Sequence, residues 1–208
     1  MVKIHRLKGD ITPEISGSFK NSIAIDTEAT GLQIPERDKL SLIQICSDNS
    51  EVYIIQPDRK TYRAPNLVKL LENKNILKIG HFFRFDKNAL EFFLKCKIKN
   101  IFDTKIASKV VRTYTDQHGL KNLVYEFCNK NLDKRQGSSD WNKDINELTE
   151  KQLEYAAGDV IYLHKIKNEL EKMLIREKRM EIFNNCLAFL DTRVELDQNG
   201  FKFDIFEH

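Results

Sequence analysis

Residues 22–28, Ser-Ile-Ala-Ile-Asp-Thr-Glu, constrain the fold of this chain more than any other segment. Ile23 and Ile25, with Ala24 between them, imply a buried strand. Asp26 and Glu28 follow at i and i+2, so both carboxylates project from one face of that strand. Two carboxylates side by side at a buried strand end repel each other. They must share a proton or bind a cation. Oxygen-only ligands suit a divalent ion such as Mg2+ or Mn2+. Taken alone, Asp-Thr-Glu also fits a solvated turn after a strand.

The surrounding pattern is α/β. Residues 40–47 (LSLIQICS) and 52–56 (VYIIQ) are expected as strands at hairpin spacing, separated by the turn signal Ser47-Asp48-Asn49-Ser50. After Pro65 the pattern changes to a helix over 66–73, a strand over 76–80, a helix over 85–94 and a short strand over 101–104. Helices are then expected over 104–112, 119–128, 149–176 and 179–199, from the spacing of their apolar residues. The early strands are close enough to pair antiparallel, and the later ones need crossover helices and run parallel. The expected architecture is a mixed five-stranded sheet flanked by helices, with a helical C-terminal part. Residues 129–146 are polar, and a loop of that length is usually functional.

Composition narrows the function. A chain of 208 residues, 41% apolar, suits one domain with a real core. The 34 Lys and Arg against 31 Asp and Glu leave a net charge of +3. That is too little to hold a long duplex by charge alone, and it favours focused contacts. Cys46, Cys96, Cys128 and Cys186 form no CxxC pair, so zinc and disulfide use are not expected, and the thiols should be mostly buried. The start, MVKIHRLKGDITPEI, has no apolar leader segment, and no stretch reaches transmembrane length. A cytosolic protein with no membrane partner is expected.

Tyr155 and Asp159 strengthen the cation reading. They are four residues apart in the expected helix 149–176, which puts phenol and carboxylate on one face, one turn apart. Thr149 and Gln152 make a capping box, and Leu148 can staple to Leu153, so this helix start is well specified. Ala156, Ala157 and Gly158 fill the gap with small residues, which suggests close approach of another element. A glycine inside a helix costs about 1 kcal/mol against Ala and needs a packing reason. Separately, Tyr155 fits a core residue and Asp159 a surface one. A fourth acid stands in His81-Phe-Phe-Arg-Phe-Asp86, near a helix start, where it also complements the helix dipole. Asp103, in Ile-Phe-Asp-Thr, ends another strand. Spacing alone does not choose between Asp86 and Asp103.

The pattern Asp26-Thr27-Glu28, then Asp86, then Tyr155-x-x-x-Asp159 resembles the tyrosine branch of the DEDD exonuclease superfamily. HFFRFD, IFDTKIAS, LDKRQGSSDW and LTEKQLEYAAGDVIYL are similar to ribonuclease D, and together they cover most of residues 21–170. The histidine branch would place His where this chain has Glu154. The compact length and the ending CLAFLDTRVELDQNGFKFDIFEH resemble the small ribonuclease D-like exonucleases of alphaproteobacteria, the nano-RNase C type. The resemblance chooses Asp86 over Asp103. It implies a ribonuclease H-like fold and one exonuclease domain over 1–208, with a catalytic core over about 21–176 and a C-terminal segment over about 179–208. It leaves no room for the helical HRDC domains of full ribonuclease D. It also implies two divalent ions and a homo-octamer acting on very short RNA, dinucleotides above all. Asp26 would bridge both ions, Glu28 and Asp159 would hold the ion on the nucleophile side, Asp86 would serve the second ion, and Tyr155 would orient the attacking water. Gly158 departs mildly from the Ala or Ser common there.

Substrate contacts are expected at four further residues. Leu32 sits where related exonucleases place a leucine wedge between terminal bases, with ordinary packing as the alternative. His81 and Arg84 flank Asp86 and suit a phosphate. Trp141, with Lys134 and Arg135 nearby, would stack a base or anchor its loop. Phe82, Phe83, Phe85, Phe92 and Phe93 are expected in the core, any exposed member serving subunit contacts. The alternatives are a broader RNA-processing or DNA-trimming exonuclease, a non-catalytic nucleic-acid scaffold, and a nucleotide phosphatase. Tyr155 at this spacing is not needed for the phosphatase chemistry.

Overall fold

A computed structural model describes residues 2–34, 36–47, 51–133, 137, 139–201 and 203–207. Residues 48–50 of the expected turn, and Lys134 and Arg135, lie outside these. The sheet has six strands in the order β1-β4-β3-β2-β5-β6: β1 (Lys3–Lys8), β2 (Ser22–Ala29), β3 (Leu40–Ser47), β4 (Glu51–Gln56), β5 (Leu77–Gly80) and β6 (Ile101–Asp103). β2, β3 and β4 pair antiparallel, while β5 and β6 continue the sheet in parallel from β2. This is the mixed sheet expected from the sequence, with one strand more.

The additional strand is β1, which pairs parallel with β4. None of its residues is buried, and its Lys-Ile-His-Arg-Leu-Lys sequence has no apolar face to announce it. It is an edge strand, specified by a partner 48 residues away in the register Lys3↔Glu51.

Helices cover both faces of the sheet. α1 (Pro13–Ser18), α2 (Pro65–Glu72) and α3 (Arg84–Leu94) share one core with Ile23, Ile25, Ile43, Ile45 and Ile55. α4 (Thr104–Val111), α5 (Leu120–Cys128), α6 (Glu150–Gly158), α7 (Leu163–Arg176) and α8 (Met180–Gln198) share the other with Ala24, Leu42, Cys46, Val52 and Ile54. Odd and even positions of β2 and β3 therefore both bury, which is why these strands read as continuous apolar runs. The expected helix 149–176 is two helices, α6 and α7, separated by a turn over residues 159–162. Its start is as expected: Thr149 Oγ1 accepts from the Gln152 amide, and Gln152 Oε1 accepts from the Thr149 amide. Gly158 is the last residue of α6 rather than an interior one, and a Cβ there would reach Leu132 Cδ2 at 3.4 Å.

Two features position the site. β2 pairs with β5 only through Ser22, Ile23 and Ala24, so from Asp26 onward that edge of β2 is open. β5 stops at Gly80, and the chain turns into α3. A Cβ at Gly80 would collide with the Phe83 ring, so the tight turn needs glycine. The resulting crevice lies beyond the carboxyl ends of the parallel strands, where α/β sheets place their ligands. Phe83 is core, as expected, but Phe82 is about half exposed. It is turned outward by a left-handed backbone (φ 59°).

Candidate active site

Asp26 and Glu28 stand on one face of β2 at the open edge. Asp159 reaches them from the residue that caps α6. Among the described residues, each of the three offers a carboxylate oxygen, and these oxygens lie within 4.8 Å of one another. Asp159 is buried and the other two are half-buried. Three carboxylates at that separation and in that setting fit divalent cations, which take oxygen ligands.

Tyr155 sits one turn before Asp159 and is half-buried beside the three acids. Burial raises its hydroxyl pKa first. The charges of Asp159, Glu28 and Asp26, and a hydrogen bond to Asp159, raise it further. The phenol therefore stays protonated at neutral pH and serves as a hydrogen-bond donor. Its ring packs on Trp141, with centroids 6.0 Å apart.

Asp86 lies outside the trio. It is buried in the first turn of α3 and accepts from Thr27 Oγ1 at 2.5 Å. Thr27 points to the face of β2 opposite Asp26 and Glu28, so Asp86 meets the strand edge from the α3 side. Burial pushes its carboxyl up to about 7, against hydrogen bonds from Thr27 and from backbone amides that hold it down. Thr27 was missed from the sequence, although alternation between two acids already aimed it at the other face.

Geometry separates Asp86 from Asp103. The Asp103 carboxylate is saturated by four backbone amides, those of Phe82, Phe83, Lys105 and Ile106, at 2.7–3.2 Å. It caps α4 and clamps the turn that leads to Asp86. Thr104 Oγ1 adds a bond to the Gly80 carbonyl, and His81 Nδ1 lies 3.0 Å from the same hydroxyl.

The expected substrate contacts fare differently. Leu32 is 84% exposed, so ordinary packing does not explain it. It lines a groove of about 330 Å3 with Phe82, Arg84 and Asn88. A second cleft, of about 510 Å3, is lined by Tyr155, Gly158, Asp159 and residues 131–133. Arg84 borders the first groove, but its guanidinium is held by both oxygens of Asp197 in α8 at 2.7 Å, so a phosphate would have to compete for it. Of the two readings of Trp141, its burial fits the loop anchor and not the stacked base. Its ring is 3% exposed and presents no face to a base. The Trp141 carbonyl accepts from Arg59, and the side chain anchors its loop against the core. None of the four cysteines forms a disulfide; Cys46 and Cys96 are buried, Cys128 is half-buried and Cys186 is exposed.

A family model described as 3′–5′ exonuclease matches residues 13–175. The chain belongs to the 3′–5′ exonuclease family. It is 42% identical to Brucella melitensis NrnC over the full length of both chains, with a TM-score of 0.92. Structures of that protein carry pGG or Mg2+. Ribonuclease D of Jannaschia sp. is 30% identical over 79% of this chain and 43% of its own length. DNA polymerase I of Aquifex aeolicus is 30% identical over 88% of this chain and 32% of its own length. The chain thus spans less than half of these two curated relatives. Asp26, Glu28, Asp86, Tyr155 and Asp159 all lie within the matched segment. Among the described residues no helix is long and apolar enough to cross a membrane.

The raised Asp86 carboxyl has a measurable consequence. The unfolded chain gives up this proton near pH 4, and the folded protein holds it to about 7. The group's stabilising contribution is therefore complete below pH 4 and is lost as pH rises through 7. Asp86→Asn keeps a neutral side chain at every pH. In chelator, its melting temperature should gain on wild type between pH 5 and 8 and level off above. A difference independent of pH would contradict the assignment.

Proposed function

We propose that this exonuclease hydrolyses the terminal phosphodiester of very short single-stranded RNA, dinucleotides foremost, in the cytoplasm, releasing nucleoside 5′-monophosphates. The observation that carries the reading is the trio Asp26, Glu28 and Asp159 with Tyr155 at the open edge of β2. The full-length likeness to a protein that binds pGG supports the short substrate.

Asp26, Glu28 and Asp159 would hold one of two Mg2+ or Mn2+ ions, with Asp26 shared between both and Asp86 serving the second. Such ions supply a water of lowered pKa and neutralise charge on the scissile phosphate. Tyr155 gives its hydroxyl proton to Asp159, and its phenol oxygen, as an acceptor, would orient the attacking water. Asp159 fixes the phenol through the bond between them. Leu32, standing free of the core at the groove mouth, wedges against the terminal bases without reading sequence. His81, on the turn before Asp86, would meet a phosphate with the ring nitrogen that faces away from Thr104.

Asp26→Ala should remove activity while the melting curve stays cooperative; undiminished cation-dependent turnover in that variant would overturn the site. Tyr155→Phe should slow hydrolysis by about 100-fold, in the range of positioned acid–base groups, and leave cation affinity unchanged.

The competing reading within the same chemistry is a broader RNA-processing or DNA-trimming exonuclease, which would use the same ligands. Turnover against 5′-phosphorylated RNA and DNA of two to ten nucleotides separates the two. A steep fall beyond two nucleotides is expected, and a flat profile defeats the dinucleotide reading.

The chain acts as one exonuclease domain whose C-terminal segment, about 179–208, serves assembly. Phe189, Phe201, Phe203 and Phe206 expose apolar surface on α8 and the tail, which suits subunit contact. Light scattering should report the mass of eight chains; a monomer mass would refute the octamer.

A further inference from the structure

Gln44 is a polar residue in a place where the fold favours an apolar one. It lies in the middle of β3 and is fully buried. Its neighbours along that face of the strand, Leu42 and Cys46, are fully buried members of the core. Neither its amide nitrogen Nε2 nor its oxygen Oε1 has a hydrogen-bond partner among the described residues. A buried amide left unsatisfied at both atoms costs stability, and such groups in folded proteins call for a functional explanation.

Register supplies one. Gln44 is directly opposite Asp26 on β2 and directly opposite Ile54 on β4. Residues directly opposite each other across a strand pair project to the same face, with Cβ atoms about 5 Å apart. Of the two side chains that flank Gln44 across the sheet, one is apolar and the other is the carboxylate at the centre of the site. A carboxylate that ligates a cation keeps acceptor capacity on its outer side. Groups that hydrogen-bond to metal ligands from behind fix their orientation and raise affinity for the ion.

We infer that Gln44 is a positioning residue for Asp26, its amide Nε2–H donating to the Asp26 carboxylate, directly or through one buried water, when that carboxylate holds a divalent cation. The role rests on the cation site proposed above. The unsatisfied amide is then the cost of a device that acts in the loaded site. Gln44 touches neither substrate nor ion; it acts through Asp26.

The test uses the full-length protein and Mn2+ as the probe, with calorimetric titration for affinity and thermal melting in chelator for stability. Gln44→Met keeps the side-chain volume and removes the amide; Gln44→Leu is the second variant in case the first fails to fold. Each should melt higher than wild type in chelator, because a buried unsatisfied amide is gone. Each should bind Mn2+ about 10-fold more weakly, the lower end of what loss of such a partner costs. Higher stability with unchanged Mn2+ affinity overturns the inference. A fall in both stability and affinity marks a merely structural role and also overturns it. Wild-type protein that takes up no Mn2+, or Asp26→Ala protein that takes it up equally well, overturns the site itself and is told apart by those two controls.

Discussion

Mutual repulsion of carboxylates is the constraint on which this structure depends. Asp26, Glu28 and Asp159 bring oxygens within 4.8 Å of one another. At an effective dielectric near 20, each charged pair at that distance opposes folding by roughly 3–4 kcal/mol. A short local element would splay apart under that load. β2 does not, because it is the central strand, hydrogen-bonded on one side along its length to β3 and buried on both faces. Asp159 is delivered by α6, whose start is locked by the Thr149–Gln152 box and whose apolar side is buried against the sheet. The repulsion that burdens the fold is also what would favour a cation there.

The second support is the turn between β5 and α3. Asp103 gathers amides from both sides of it, Thr104 takes the Gly80 carbonyl, and the Phe83 ring fills the space that a side chain at Gly80 would occupy. Asp86 is fixed at the end of that turn and tied back to β2 through Thr27. α3 is in turn bound to α8. Lys87 is buried between Glu91 and Asp191, whose Oδ1 lies 2.9 Å from its Nζ, and Arg84 pairs with Asp197. Both pairs that join the two helices keep one partner partly exposed, so solvent screening weakens each. The C-terminal helix is thus a brace for the Asp86 side of the site as well as a surface for contact.

Much of this was legible in the order of residues. β2, β3 and β4 bury both faces, so their apolar runs could not be mistaken for loops. The cap of α6 is a local motif of four residues. The pairing of Tyr155 with Asp159 needs only helical spacing. What escaped had no local signature. β1 has no buried residue and exists because β4 offers an edge. The break after Gly158 leaves the apolar spacing of α6 and α7 nearly in phase, so it looked like one helix. Trp141 left base stacking open beside loop anchoring, because its burial and the bond it accepts from Arg59, 82 residues away, are set by tertiary contact.

The sequence by itself determined the acids, the central strand that carries two of them, and the helix that carries the third with its tyrosine. These follow from periodicity and capping, which act within a few residues. Spacing left Asp86 and Asp103 open, and only the tertiary structure shows how differently the two carboxylates are held. Asp86 and Asp103 both stand at the edges of short elements, and chain order does not distinguish them. The difference is what surrounds each carboxylate: four backbone amides from two segments saturate Asp103, while Thr27 from β2 meets Asp86. Two of the Asp103 amides are local, but Phe83 lies 20 residues from Asp103 and Thr27 lies 59 from Asp86, and hydrogen bonds across such distances exist only once the sheet has closed.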